Sequence, residues 1–407
     1  MKKIDGGVTM AKGFYAAGAA AGIKFEGRDD MALVYSEKPA VTAGVFTTNL
    51  VKAAPVKWDS ALVHNYETAR AVVLNAGIAN ACTGKEGIEI NEEMAQAVAE
   101  QLGIPAVDVL TASTGVIGVQ VPLEPIKKGA VLLKQSLSDS KEAGERAAKA
   151  IMTTDTMKKE CAVTFEVDGK TVTVGGMSKG SGMIHPNMAT MLAVITTDIA
   201  MKKELLQEAI AADVKKSFNM ISVDRDTSTN DTYVILANGM AENEVITEKN
   251  EAYKQFCRAL NKVTTTLART MAGDGEGASH LLEVTVENAK THEDAVILSK
   301  SVISSNLVKT ALYGADANWG RILCALGYAG VFFQPEKVDL TILSKAGSLK
   351  LVEDGCTTGF SEDIAKQILL EEEVTVIVDL KLGIEEATAW GCDLTYDYVK
   401  INGDYRS

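Results

Sequence analysis

The alternation of hydrophobic and polar positions along this 407-residue chain predicts interleaved strands and helices. Ala71–Asn75 and Val107–Thr111 are mainly apolar segments of strand length and are predicted to be buried strands. Between them, apolar residues recur at helical spacing, at Ile90, Met94, Val98 and Leu102. Gly103 follows this stretch and predicts the end of the helix. The pattern therefore favours a mixed α/β fold.

The middle of the chain continues the same alternation. Val163–Val167 and Thr171–Val174 alternate in polarity around Asp168-Gly169, which predicts a β-hairpin. Met191–Ile195 is predicted to be a buried strand. Apolar residues at helical spacing predict a long helix from Glu251 to Met271, ending at Gly273.

The pattern in the last third of the chain predicts enough helices and strands for a second α/β domain. Helices are predicted near residues 292–312, 318–329 and 361–371, and strands near 338–353, 373–382 and 392–402. We therefore expect a first domain over residues 1–285 and a second over 286–407.

Composition and charge narrow the function classes. The chain is 46% hydrophobic and 23% charged with a net charge of −13, which fits a globular protein and argues against a nucleic-acid partner. The six cysteines show no C-x-x-C spacing, so we expect neither a metal site nor disulfides, and no motif indicates a cofactor. No apolar N-terminal stretch follows Met1-Lys-Lys, and the longest apolar run, Ile322–Phe333, is shorter than the ~20 residues of a membrane span. We expect a cytoplasmic location and no membrane partner.

The segment Lys179–Leu192 contains a candidate nucleophile, Thr190. A threonine hydroxyl is a weak nucleophile, and an N-terminal α-amine next to it supplies a base. Cleavage between Ala189 and Thr190 would create that amine, whose reference pKa of about 8 lies near working pH. Gly180 and Gly182 permit a bent backbone before the bond, although a plain surface turn is the alternative interpretation.

Several longer motifs accompany this segment. They are Gly6–Phe14, Asn75–Gly84, Ser113–Gly118, Thr153–Thr156, Ser222–Asp231, Gly273–Ala278, Asn318–Arg321 and Asn402–Ser407. Together with Lys179–Leu192 they closely resemble the glutamate N-acetyltransferase family, also called ornithine acetyltransferases, over nearly the whole chain. Two departures from the family are visible. Ala317 stands where a proline usually precedes Asn318–Arg321, and Met157–Lys159 replaces the proline-containing segment that usually follows Thr153–Thr156.

The resemblance implies a layered α-β-β-α sandwich like that of N-terminal-nucleophile enzymes, with a smaller second α/β domain. It implies self-cleavage into an α chain, 1–189, and a β chain, 190–407, that form an α2β2 heterotetramer. It also implies that Thr190 carries acetyl from N-acetylornithine to glutamate in arginine biosynthesis. Whether acetyl-CoA is a second donor stays open.

The resemblance further assigns site residues. Thr114 and Gly115 match the family's oxyanion pair, whereas the residues alone would favour a turn that ends a strand. The positions that match substrate contacts are Thr153, Lys179, Thr190, Glu276, Asn402 and Ser407. Thr154 remains an alternative to Thr153. Glu276 is suited to the cationic end of acetylornithine.

Two other functions remain as alternatives. An aminopeptidase or amidase would use the same self-generated nucleophile with water as acceptor. A non-catalytic binding protein would use the glycine loops only as structural turns. An unbroken chain of 43.2 kDa would favour the binding protein.

Overall fold

The computed structural model describes residues 1–185 and 191–405, and these divide into two compact units. Unit 1 comprises 1–180, 191–219 and 227–267. Unit 2 comprises 181–185, 220–226 and 268–405. The domain boundary predicted near residue 285 stays a prediction.

The strands are β1 Lys2–Ile4, β2 Phe14–Ala19, β3 Met31–Phe46, β4 Thr68–Ile78, β5 Val109–Val116, β6 Lys159–Val167, β7 Lys170–Lys179, β8 Leu192–Thr197, β9 Ile221–Ser222, β10 Thr232–Ala237, β11 Leu281–Ala289, β12 Asp339–Ser344, β13 Gly347–Glu353, β14 Cys356–Thr357, β15 Glu373–Asp379 and β16 Glu385–Cys392. The α-helices are α1 Ala54–Asn65, α2 Gly84–Leu102, α3 Leu123–Ser136, α4 Lys141–Ala150, α5 Lys203–Asp213, α6 Glu251–Gly273, α7 His292–Ile303, α8 Asn306–Tyr313, α9 Trp319–Gly327, α10 Glu362–Leu369 and α11 Tyr396–Gly403. Short 3₁₀ helices lie at Ala106–Asp108, Val214–Lys216, Phe218–Met220 and Pro335–Lys337.

Unit 1 contains a mixed sheet in the order β1-β6-β7-β8-β10-β3-β4-β5, with β2 paired to β3. The pairs β4–β5 and β8–β10 are parallel, and the other pairs of this sheet are antiparallel. The parallel pairing of β4 with β5 brings their carboxyl ends to the same sheet edge.

Successive strand residues point to opposite faces of this sheet, and a buried apolar core lies on each face. Val72 and Leu74 of β4 belong to one apolar core, which includes Ala147 of α4. Val73 belongs to the core on the other face, which includes Val98 of α2. The central strands can therefore be apolar without interruption.

Unit 2 contains a second sheet in the order β14-β13-β12-β15-β11-β16-β9. Helix α7 packs against β16 and β11 of this sheet. The predicted α/β class is confirmed by these two sheets and the helices that cover them.

Most predicted elements occur close to their expected positions, including the hairpin of β6 and β7 and the long helix α6. The predicted single helix over 292–312 is two helices, because Ser305 caps a new helix by accepting a hydrogen bond from the Val308 amide. The strand predicted over 392–402 is wrong. Thr395 caps α11 there by accepting from the Tyr398 amide, and the apolar positions that suggested a strand are exposed.

Among the described residues, no helix is long and apolar enough to cross a membrane.

Candidate active site

Five polar residues from four segments of unit 1 form a group that we call the lysine cluster: Thr114, Thr153, Asp155, Lys159 and Lys179. Thr114 lies near the end of β5, and Lys179 is the last residue of β7. Thr153 and Asp155 lie in the connection between α4 and β6, and Lys159 begins β6. The sheet thus holds the two lysines and Thr114 on rigid strands.

Lys179 is the centre of the lysine cluster. Its ammonium Nζ lies 2.8 Å from Thr153 Oγ1 and 3.4 Å from Thr114 Oγ1. It also lies 3.7 Å from Asp155 Oδ2. The side chain is only 8% exposed, so these contacts occur away from bulk water and are less screened than a surface pair.

Asp155 joins the two lysines. Its Oδ1 accepts hydrogen bonds from Lys159 Nζ at 2.6 Å and from the Gly180 amide at 2.8 Å. Its Oδ2 accepts from the Thr153 amide at 3.1 Å. Burial alone would raise the pKa of Asp155, but the charges of Lys179 and Lys159 and these hydrogen bonds hold it well below its usual range. The carboxylate is therefore ionised and fixes the position of both ammonium groups.

Thr114 and Gly115 lie within β5 rather than in a turn after it. Gly115 pairs with Gly77 of β4 and has a φ of +131°, a conformation that favours glycine. A Cβ built on Gly115 would lie 2.1 Å from the Gly77 carbonyl carbon. Only glycine allows this approach, so the backbone at this strand end is specified by the sequence.

Asn230 supports the same strand end. Its side-chain Nδ2 donates to the carbonyl oxygens of Ser113 at 2.7 Å and Ala79 at 2.6 Å. The Ser113 carbonyl belongs to the peptide that carries the Thr114 amide. Asn230 thereby ties the ends of β4 and β5 together and positions Thr114.

A second group, the glutamate cluster, lies in unit 2 and consists of Ser181, Gly182, Glu276 and Asn402. Asn402 Nδ2 in α11 donates to Glu276 Oε2 at 2.7 Å. The Glu276 amide donates to the Ser181 carbonyl at 3.0 Å. A Cβ on Gly182 would lie 2.2 Å from Glu276 Oε2, so the carboxylate rests directly on the Gly182 backbone.

Asp224 fixes the segment that contains Gly182. Its carboxylate accepts from the amides of Met183 at 2.6 Å and Ile184 at 2.8 Å, and from the Tyr398 hydroxyl at 3.2 Å. Burial and the neighbouring Asp224 charge raise the pKa of Tyr398, so its hydroxyl stays protonated and continues to donate. The segment and α11 are thereby held to the same carboxylate.

The structure brings together three predicted site residues in the lysine cluster, Thr114, Thr153 and Lys179, and two in the glutamate cluster, Glu276 and Asn402. Of the two threonines left open by the sequence, Thr153 bears the hydroxyl that bonds Lys179. Ala189, Thr190 and Ser407 lie outside the described residues.

Sequence reasoning missed Asp155 and Asn230. Both lie within motifs that resemble the family, Thr153–Thr156 and Ser222–Asp231. Their position in these motifs was the signal that could have identified them as site residues. Asn230 contacts Ala79 and Ser113, which are far away in the chain, and Asp155 joins nearby Lys159 to Lys179 on a different strand. These contacts became visible only in the fold.

No group of three or more His, Cys, Asp or Glu that could hold a metal occurs in the part of the chain that the structure describes. All six cysteines are free thiols in this structure. The chemistry open to the two clusters is hydrogen bonding and charge stabilisation by hydroxyl, amide, ammonium and carboxylate groups.

Comparison with known proteins gives a consistent result. The profile of the ArgJ family matches residues 15–407. The arginine biosynthesis bifunctional protein ArgJ of Caldanaerobacter subterraneus subsp. tengcongensis is 52% identical over 407 residues, covering 100% of both chains. A crystal structure of the protein of that name from Bacillus halodurans is 44% identical, with a TM-score of 0.50, and covers 52% of this chain and 97% of its own. An ornithine acetyltransferase from Mycobacterium tuberculosis, solved with ornithine, is 43% identical with a TM-score of 0.43, covering 45% of this chain and 96% of its own.

Proposed function

The chain belongs to the ArgJ family, and on this premise we propose that it transfers acetyl from N-acetylornithine to glutamate through an acetyl ester of Thr190. The family predicted from the motifs is thus confirmed. The observation that carries the proposed chemistry is the lysine cluster, in which the buried Lys179 ammonium lies beside the hydroxyls of both Thr114 and Thr153.

The reaction follows from the groups present. The Thr190 oxygen attacks the acetyl carbonyl and passes its proton to its own α-amine. The Thr114 hydroxyl and the Gly115 amide donate hydrogen bonds to the oxyanion that forms. The amide bond to ornithine breaks, and the departing amine takes the proton. The α-amine of glutamate then attacks the acetyl ester, loses a proton and releases the Thr190 hydroxyl.

Each cluster has a substrate-binding role in this proposal. Lys179, with Thr153, binds a substrate carboxylate, since an ammonium and a hydroxyl both donate hydrogen bonds to it. Glu276 binds the side-chain ammonium of acetylornithine. Two observations support this role: only 6% of Glu276 is exposed, and it forms no ion pair with any described residue. A bound cation would stabilise such a buried carboxylate. Asn402 orients this carboxylate, and Ser407 is a further substrate contact.

The mature protein, we propose, consists of an α chain of residues 1–189 and a β chain of residues 190–407 in an α2β2 heterotetramer in the cytoplasm. The cut is autocatalytic, by attack of the Thr190 hydroxyl on the Ala189 carbonyl and hydrolysis of the resulting ester. The Bacillus halodurans chain supports this, because a chain matched over 97% of its own length spans only 52% of this one. A cut at Ala189 divides the sequence near its middle.

Mass spectrometry of the purified protein tests the function directly. We expect two polypeptides, and an acetyl adduct on the one beginning at Thr190 after incubation with N-acetylornithine. Adding glutamate should remove the adduct and yield N-acetylglutamate. A single unbroken polypeptide that still transfers acetyl would refute the proposal.

The same incubation separates the alternatives. An aminopeptidase or amidase would release acetate at the same rate with or without glutamate, whereas the relatives described above are named for acetyl transfer and arginine biosynthesis. A parallel incubation with acetyl-CoA and glutamate decides whether acetyl-CoA is a second donor.

A further inference from the structure

A cavity in unit 2 is lined by residues of two motifs, and the proposed acetyl transfer does not use these residues. It has a volume of about 340 Å³. Its wall contains Arg225 from the motif Ser222–Asp231 and Arg321 from the motif Asn318–Arg321. We call it the arginine cavity. Its volume lies at the lower end of the range of small-molecule sites.

The charge of the lining is opposite to that of the whole chain. The chain has 54 acidic and 41 basic residues, whereas the lining contains two arginines and no Asp or Glu. Within the described ranges, 1–185 and 191–405, the arginines that form ion pairs are Arg146, Arg258 and Arg269. The two guanidinium groups of the cavity thus lack a carboxylate partner there, and an anion would supply one.

The Arg321 side chain is held by hydrogen bonds, and the backbone at Arg225 is constrained. Arg321 Nη1 donates to the Leu307 carbonyl at 2.9 Å and to Thr310 Oγ1 at 3.3 Å, which fixes one edge of its guanidinium. Arg225 has a φ of +73°, a left-handed conformation that costs a residue with a side chain about 1–2 kcal/mol. Asp224 next to it is anchored by the Met183 amide at 2.6 Å. Backbone strain of this kind persists where the surroundings impose it, and it is common at binding sites.

We propose that the arginine cavity binds the phosphate group of a nucleotide. A phosphate monoester carries a charge of about −1.5 to −2 at pH 7, which two guanidinium groups match, and each can bond it through two N–H groups. The Tyr328 ring and the Leu307 side chain also line the cavity and are 62% and 58% exposed. An exposed aromatic ring beside a cationic pocket is suited to stacking with a base.

Cys324 provides the test, because it is an exposed free thiol in the cavity lining. The rate of its alkylation in the full-length protein is measured by mass spectrometry with ADP, adenosine or inorganic phosphate present. Cys356, an exposed thiol of the same unit outside the lining, is the internal control. We expect ADP to slow labelling of Cys324 at least about tenfold at saturation and to leave Cys356 unchanged. Phosphate should require a higher concentration, and adenosine should not protect.

Charge-removing variants show which groups bind. Because hydrogen bonds between charged groups are the strong ones, Arg225→Gln and Arg321→Gln should each raise the ADP concentration for half-protection by about tenfold or more. Lys366→Gln removes one charge from the exposed face of α10 in the same unit and should have no effect. Arg321 also donates a hydrogen bond to the Leu307 carbonyl, so its substitution affects the fold as well as the cavity. If Arg321→Gln does not fold, the result with Arg225→Gln alone tests the proposal. Acetyl transfer from N-acetylornithine should be unchanged in Arg225→Gln.

Three results would overturn the proposal. The first is labelling of Cys324 that ADP does not slow. The second is protection by adenosine or by inorganic phosphate at the same concentration as ADP, because either would mean that the two parts of a nucleotide are not both recognised. The third is a loss of protection in Lys366→Gln as large as that in Arg225→Gln, which would indicate a general charge effect.

Discussion

The lysine cluster and the glutamate cluster are built in different ways. The lysine cluster takes Thr114, Lys159 and Lys179 from strands, and one buried carboxylate, Asp155, holds two ammonium groups. The glutamate cluster joins a loop residue, Glu276, to a residue of the last helix by one side-chain hydrogen bond. Under the proposed function, rigid strands hold the groups that stabilise charge in the reaction, while a loop and a helix end hold the group that recognises one substrate.

Removing the shared carboxylate should have the largest effect. Asp155→Asn leaves two buried ammonium groups without their carboxylate, which should lower the free energy of unfolding by about 3–5 kcal/mol. Urea denaturation of the uncut Thr190→Ala protein, with and without this substitution, measures the loss. Glu145→Gln is the matched control, because Glu145 also contacts two lysines, Lys149 and Lys158, but at the surface. Equal losses in the two variants would contradict the buried role of Asp155.

Removing the Thr114 hydroxyl, which we propose donates a hydrogen bond to the oxyanion, should have the next largest effect. Thr114→Val keeps the shape of the side chain but loses the donor, so kcat should fall on the order of a hundredfold while the protein stays folded. Thr114→Ser should keep most of the activity. Thr285→Val, a matched change on β11, should leave kcat unchanged. Normal turnover by Thr114→Val would remove this residue from the reaction.

The glutamate cluster should respond in binding rather than in the chemical step. Glu276→Gln keeps an oxygen for Asn402 but removes the charge, so KM for N-acetylornithine should rise about tenfold, equivalent to about 1.4 kcal/mol, while KM for glutamate changes little. Steady-state kinetics with each substrate varied in turn measures this difference. Glu372→Gln, an exposed carboxylate of the same unit, is the control. Parallel increases in both KM values would argue against selective recognition of the donor.

The smallest expected effect is on stability in acid. The pKa of Asp155 is lowered in the folded state, so its contribution is complete above the unfolded carboxyl pKa of about 4 and is lost as the pH falls below it. Between pH 5 and pH 3 this single group should cost about 1 kcal/mol. Denaturation of Thr190→Ala at both pH values measures the total change. A smaller change in the same protein carrying Asp155→Asn would confirm the source, and an identical change would refute it.

The predictability of the fold differed between regions. The strand Ala71–Asn75 lies inside β4 as expected, because both faces of that strand are covered and every residue could be apolar. The strand predicted over 392–402 failed, because Tyr396 and Val399 are apolar positions that the fold leaves 82% and 69% exposed. A periodic pattern predicts an element well when its apolar face is buried, and poorly when it is not.

The residues of the site also differed in how well the sequence predicted them. Thr114, Thr153 and Lys179 were found through motifs, and the fold brings them to one place. Asp155 was not singled out, because its importance comes from burial between Lys159 and Lys179, and a sequence does not state which charges lose their water.

The sequence by itself determined the types of most elements, the turn at Asp168-Gly169, the helix end at Gly103 and the family to which the chain belongs. These properties depend on neighbouring residues or on motifs that can be read directly. Only the tertiary structure decided which charges share a buried carboxylate, which carboxylate lies against a glycine backbone and which arginines line a cavity. Those arrangements join residues that are far apart in the chain, and their energies depend on desolvation, which arises only when the chain is folded.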